Sequence, residues 1–111
     1  MFFQVGGMAI VLWGRESLAA DARVEDSGIE GFGGIALAHN VRTSSEVDEI
    51  ISAAARAGAT ITCPARSTFY GGYAGYFADP DGHLWEISHN PGFTLGEDGN
   101  LLLPDFGATT P

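Results

Sequence analysis

The 111-residue chain has no lysine, a single cysteine and no apolar run longer than the six residues from Met8 to Trp13. Each scarcity excludes something. Five arginines stand against 14 acidic residues, for a formal net charge of -9 and a pI near 4.4. Phosphate backbones and anionic lipid surfaces are bound mainly through clustered cations, so neither nucleic acid nor a membrane surface is expected as a partner. The same field favours cationic ligands, although acidity is also an ordinary route to solubility. The lone Cys63 rules out an internal disulfide and a thiolate metal cage built from one chain. Its position after Thr60-Ile61-Thr62, in a strand-like run, suits a packed thiol better than a nucleophile. No apolar run approaches the length that spans a bilayer. Met1 to Gln4 lacks the basic start and small-residue cleavage site of a secretory signal, so a cytoplasmic location is the expectation.

What is present reads as one domain. The chain is close to the commonest domain size, and 45% of its residues are hydrophobic. Phe2 to Val5 and Met8 to Trp13 are apolar runs separated by Gly6-Gly7, a pair suited to the positive φ angles of a tight turn, which predicts an opening β-hairpin over residues 1–14. Residues 15–34 read as a linker with a helical turn in the Ala-rich stretch Ser17 to Ala22. Ile35 to Val41 is a strand. Thr43-Ser44-Ser45-Glu46 fits a capping box that opens a helix whose Val47, Ile50, Ile51, Ala54 and Ala57 share one face and which Gly58 ends. Thr60 to Cys63 is a short strand stopped by Pro64, Gly72 to Ala78 an aromatic strand, and His83 to Ser88 a third, entered through the turn Asp79-Pro80-Asp81-Gly82. Asp79 and Asp81 are expected to shape that turn rather than to act as an acid pair. The tail, residues 91–111, carries one apolar run at Leu101 to Leu103, and from Gly107 on it reads as disordered.

The stretch Phe77-Ala78-Asp79-Pro80-Asp81-Gly82-His83-Leu84-Trp85-Glu86-Ile87 resembles the closing strands of the vicinal-oxygen-chelate superfamily of glyoxalases, bleomycin-resistance proteins and extradiol dioxygenases. Taken with the capped helix, Gly58-Ala59-Thr60 and the strand order, the resemblance covers residues 33–90. It implies an α+β fold with one complete strand-helix-strand-strand-strand module over residues 35–90. The hairpin before it would be the end of an incomplete first module, since Gly6 to Leu12 repeats the turn-then-strand layout of Asp81 to Ile87. The family pairs two such modules around a cup-shaped cavity. On that reading a second copy of the chain completes the cup, which makes a homodimer the expected assembly, or else the absent strands are encoded upstream.

In metal-using relatives the ligands come from the first and last strands of each module. Glu86 matches a last-strand position. Its counterpart by the turn-to-strand echo is Val11, and the first strand of the complete module offers Ile35 or Ala36, none of which can bind a metal. His39 is a weak alternative ligand, because alternation puts it with Ile35, Leu37 and Val41 on the face assigned to the helix, while Ala36, Ala38 and Asn40 look into the cup. The resemblance therefore implies a protein that binds a small organic molecule without a metal or other cofactor. The alternative is a divalent-metal lyase, isomerase or dioxygenase that completes its site from a partner chain. Glu86 is the candidate catalytic residue, since a carboxyl on an apolar cup floor has a raised proton affinity that suits a general base or the binding of a ligand amine. Asn40, Trp13 and one of the aromatic sets, Tyr73 or Tyr76, are the candidate ligand contacts.

Overall fold

The computed structural model of the chain describes residues 1–26 and 32–104. The order of elements is β1 (Phe2–Val5), β2 (Met8–Val11), α1 (Arg15–Ala22), β3 (Ala36–Asn40), α2 (Ser44–Arg56), β4 (Thr60–Ser67), β5 (Tyr73–Ala78), β6 (Leu84–His89), β7 (Thr94–Leu95) and β8 (Leu101–Leu102). The contacts divide into two compact units, one made of Met1–Leu12 with the chain from Pro91 onward, the other of Trp13–Asn90.

In the first unit β1 and β2 form the expected hairpin, with Val5 opposite Met8 and Gly6 at φ 59° in the turn. A side chain at Gly6 would be strained in that left-handed region. The strand ends at Val11, short of Trp13. The tail contributes a β7–β8 ribbon, and Gln4 fastens it to the hairpin: its Nε2 donates to Leu101 O at 2.7 Å, and its Oε1 accepts from Leu103 N at 2.8 Å. The residues from Gly107, expected to be disordered, lie outside the described residues, as do 27–31.

The second unit is a four-stranded sheet in the order β3-β6-β5-β4, with β3 parallel to β6 and the other pairs antiparallel. This is the predicted strand-helix-strand-strand-strand module. Helix α2 begins where the capping box placed it. Thr43 Oγ1 accepts from Glu46 N at 3.2 Å, and the Glu46 carboxylate receives the Thr43 hydroxyl at 3.3 Å instead of the Thr43 backbone donor. Val47 and Ile51 are buried from that helix against Val41 and Ile87, with Tyr73, Phe77, Ile61 and Ala65 packed around them. Tyr73, Phe77 and Ile87 share one face by alternation along β5 and β6, and the register shifts of β4 put Ile61 and Ala65 on the same side although Cys63 between them lies on the other, which makes this the helix-covered face. At the far end of the sheet, the Asp79 carboxylate accepts from Asp81 N, His83 N and Trp85 Nε1 at 2.9 to 3.0 Å, the turn-shaping work expected of it.

Two sequence expectations need correction. Pro64 does not stop a strand: β4 continues to Ser67, because it is the edge strand of the sheet and its register shifts between Cys63 and Arg66, where a missing N–H costs no ladder bond. The segment 15–34 is not simply a linker. Arg15–Ala22 is a two-turn helix that starts at Gly14 without a side-chain cap and ends in the left-handed Arg23. Its Ala19 and Ala22 are small enough to approach the sheet closely, and they are buried with Phe32, Cys63, Tyr76 and Leu84 on the face opposite α2.

Candidate functional site

The face opposite α2 carries the chemistry. Across it the register aligns Ala38 of β3 with Glu86 of β6, Glu86 with Tyr76 of β5, and Tyr76 with Cys63 of β4. The next row pairs Asn40 with Ser88 and Ser88 with Ala74. Helix α1 covers the β4–β5 side of this face, whereas Ala38 is exposed and Asn40 and Glu86 are only partly buried. Glu86 thus lies at the border between a covered half and an open strip.

The covered half holds a polar chain. Tyr76, 2% exposed, donates its hydroxyl to Asp21 Oδ2 of α1 at 2.7 Å, and Arg66 of β4 pairs with Asp21 Oδ1 at 3.2 Å. Glu86 stands beside Tyr76 as its register partner on β6. Arg66 Nε further donates to the Sγ of Cys63 at 3.3 Å, and Cys63 is buried, as a packed thiol should be. Burial is the main cause that pushes the Glu86 carboxyl above the ordinary glutamate range; the neighbouring Tyr76 hydroxyl opposes it and the Asp21 charge adds to it. Burial also raises the Tyr76 hydroxyl, with the charges of Glu86 and Asp21 acting in the same direction. On the open side, the Tyr70 hydroxyl is raised by burial first and the Glu86 charge second, with the neighbouring Ser88 and Thr68 opposing the shift.

Of the residues singled out from the sequence, Glu86, Asn40 and Tyr76 come to one face. Tyr73 does not: alternation along β5 turns it to the α2 face, where its hydroxyl donates to Asp48 at 2.7 Å. Trp13 stands half exposed just before α1. His39 pairs in register with Ile87, so it occupies the face opposite Glu86 and the two cannot converge on one ion from the same chain. Asp21, Arg66 and Tyr70 were not among the site residues singled out from the sequence. Asp21 fell in the supposed linker and Arg66 beyond the supposed strand end, and the Ala-rich run through Ala22 was the one signal that a helix could carry Asp21 to the sheet.

A divalent ion does not fit this residue set. Glu86 is flanked on the neighbouring strands by Ala38 and Tyr76, and no three His, Cys, Asp or Glu side chains among the described residues group closely enough to hold a metal. A groove of about 850 Å³ opens elsewhere, at the start of β3 and β6, lined by Phe32, Ile35, Leu37, Ala78, His83 and Leu84 among others. Glu86 is not part of its wall.

Comparison with known proteins places these features in context. The Glyoxalase/Bleomycin resistance protein/Dioxygenase superfamily matches the chain over residues 5–87. A glyoxalase-related enzyme from Fulvimarina pelagi is 38% identical, with a TM-score of 0.64 over 93% of this chain and 73% of that one. A glyoxalase/bleomycin resistance protein/dioxygenase family enzyme from Burkholderia phytofirmans is 30% identical over 67% of this chain and 54% of that one, with a TM-score of 0.49. No curated protein matches the sequence.

Proposed function

Since the chain belongs to the Glyoxalase/Bleomycin resistance protein/Dioxygenase superfamily, we propose that it binds a small organic molecule on the open strip beside Glu86, without a metal. The observation that carries this reading is the placement of Glu86. The residue stands beside Tyr76 on the covered side and borders the exposed Ala38 and partly buried Asn40 on the other. Ligand sites of this kind combine an apolar floor with a few placed polar groups. Ala38 supplies floor; Glu86, Asn40, Ser88 and Tyr70 supply the polar groups. Glu86 is also the group on this strip best fitted to acid–base work, because its proton affinity is raised.

The metal-dependent lyase, isomerase or dioxygenase would need ligands that Ala38 and Tyr76 do not offer. We place the protein in the cytoplasm and take a second copy of the chain as its partner. Strand β3 ends the sheet with a single neighbour among the described residues, and Ile35 and Leu37 on it and just before it are 72% and 46% exposed. Unpaired apolar edges of this sort recruit further strands. A monomer by light scattering at micromolar concentration would refute the dimer.

The ligand reading is tested by a thermal-shift screen of small organic molecules against the parent and Glu86→Leu. Binding to the native state must raise the melting temperature. Compounds that stabilise the parent are expected to lose that effect in Glu86→Leu; equal stabilisation of both proteins would overturn the reading.

A further inference from the structure

The turn between β4 and β5 carries the most exposed aromatic ring among the described residues. Phe69 is 98% exposed, and its ring stands edge-on to that of Tyr70, with centroids 5.2 Å apart and planes at 85°. The turn is fixed from within. Thr68 N donates to Gly72 O at 3.0 Å, Gly71 N to Thr68 O at 3.2 Å and Gly72 N to Thr68 Oγ1 at 2.9 Å, while Gly71 takes a φ of 82° that other residues rarely adopt. An apolar ring held out in water by such a turn gains burial only when something covers it.

Gly72 shows where the Tyr70 ring lies. Alternation into β5 puts position 72 on the face of Ala74 and Tyr76, the face opposite α2. A Cβ there would come within 2.7 Å of Tyr70 Cε2, so the ring occupies the place of the missing side chain. Tyr70 therefore stands on the face of Glu86, beyond the row of Ala74, Ser88 and Asn40, and ends the open strip. The Glu86 charge among the causes that raise the Tyr70 hydroxyl agrees with that side.

We propose that Phe69 and Tyr70 form a ring-binding wall at the end of the strip, and that the ligand is a planar aromatic molecule bearing a hydrogen-bonding group such as a carboxamide. The ring lies against the aromatic pair, and the polar group reaches toward Glu86 and Asn40. This rests on the proposed binding at the strip and adds what selects the ligand. A π-system gains from aromatic contact beyond the area it buries, which a saturated ring of the same size does not.

Benzamide and cyclohexanecarboxamide carry the same polar group and differ in the ring. Titrated into the full chain and followed by backbone amide shifts, benzamide should bind about 2- to 10-fold more tightly than its saturated counterpart. It should move the signals of Ala38, Phe69, Tyr70 and Glu86. Phe69→Leu keeps apolar bulk at an exposed position where folding is not at stake, and it should shrink that preference; Phe69→Tyr should retain it. Tyr70→Leu should shrink it as well. Equal affinity of the parent for the two amides, an absence of benzamide shifts on the strip, or an unchanged preference in Phe69→Leu would overturn the proposal. Equal binding of both amides at the strip removes only the wall, whereas retained ligand stabilisation in Glu86→Leu removes the strip itself.

Discussion

Tyr76 stands directly opposite Glu86 across the antiparallel β5–β6 pair, and its hydroxyl donates to Asp21 of the helix lying over the sheet. The pair links the covered core of the second unit to its open strip. A proton on Glu86 is therefore coupled to the stability of the fold as well as to what the strip can hold.

Stability should fall as pH rises through the titration of Glu86. Its folded proton affinity is raised, chiefly by burial, so the native state binds more protons than the unfolded chain between the ordinary glutamate value of about 4.3 and the higher native one. That contribution is fully present below the ordinary value and is lost on the way up through the native one. Glu86→Gln removes the ionisation, so the urea midpoint of this variant should exceed that of the parent on the alkaline side and lose this part of the slope. A parent and variant that vary identically with pH would contradict the assignment.

Ile87 is the neighbour of Glu86 in sequence and its opposite in role. It is 1% exposed against Val41, Val47 and Ile51 under α2. Ile87→Ala should cost about 2 to 5 kcal/mol by removing apolar contacts and leaving a cavity. Denaturant titration checks this, and a loss below about 1 kcal/mol would mean that the α2 face is not the main core.

Asp79 tests the turn. Its carboxylate is held below the ordinary range, first by the Trp85 indole N–H and then by the backbone donors of His83 and Asp81. A lowered native value stabilises above the unfolded one and loses that benefit as pH falls through the native one. Asp79→Ala should lower the melting temperature at neutral pH, and the deficit relative to the parent should shrink in strong acid. A deficit that persists undiminished in acid would point to backbone strain in place of the carboxylate.

Much of this was legible in the chain. Alternation in Ile35 to Val41 was enough to put His39 on the helix face and Asn40 on the other, and Thr43 with Glu46 gave the start of α2. Both signals are local, as is the Asp79 turn. The run Ser17 to Ala22 is short, uncapped and nearly without an apolar stripe, since alanine serves both sides of such a helix; only contact with Tyr76 and Leu84 gives it a buried face. Pro64 reads as a strand breaker until β4 is known to be the sheet edge. The Asp21–Tyr76 bond joins residues 55 positions apart, and no periodicity encodes it. The choice between Tyr73 and Tyr76 depended on which face of β5 meets α2, a property of the assembled sheet.

Where a ligand sits is measured most directly by backbone amide shift mapping with a compound that raises the melting temperature. The strip and the groove at the start of β6 are lined by different residues, so the two sites leave different patterns. Binding at the strip should move the signals of Ala38, Asn40, Tyr70, Glu86 and Ser88 and leave Val24, Gly33 and His83 in place. Shifts confined to Val24, Gly33, Gly82 and His83, with Ala38 and Glu86 unmoved, would contradict it and assign the ligand to the groove.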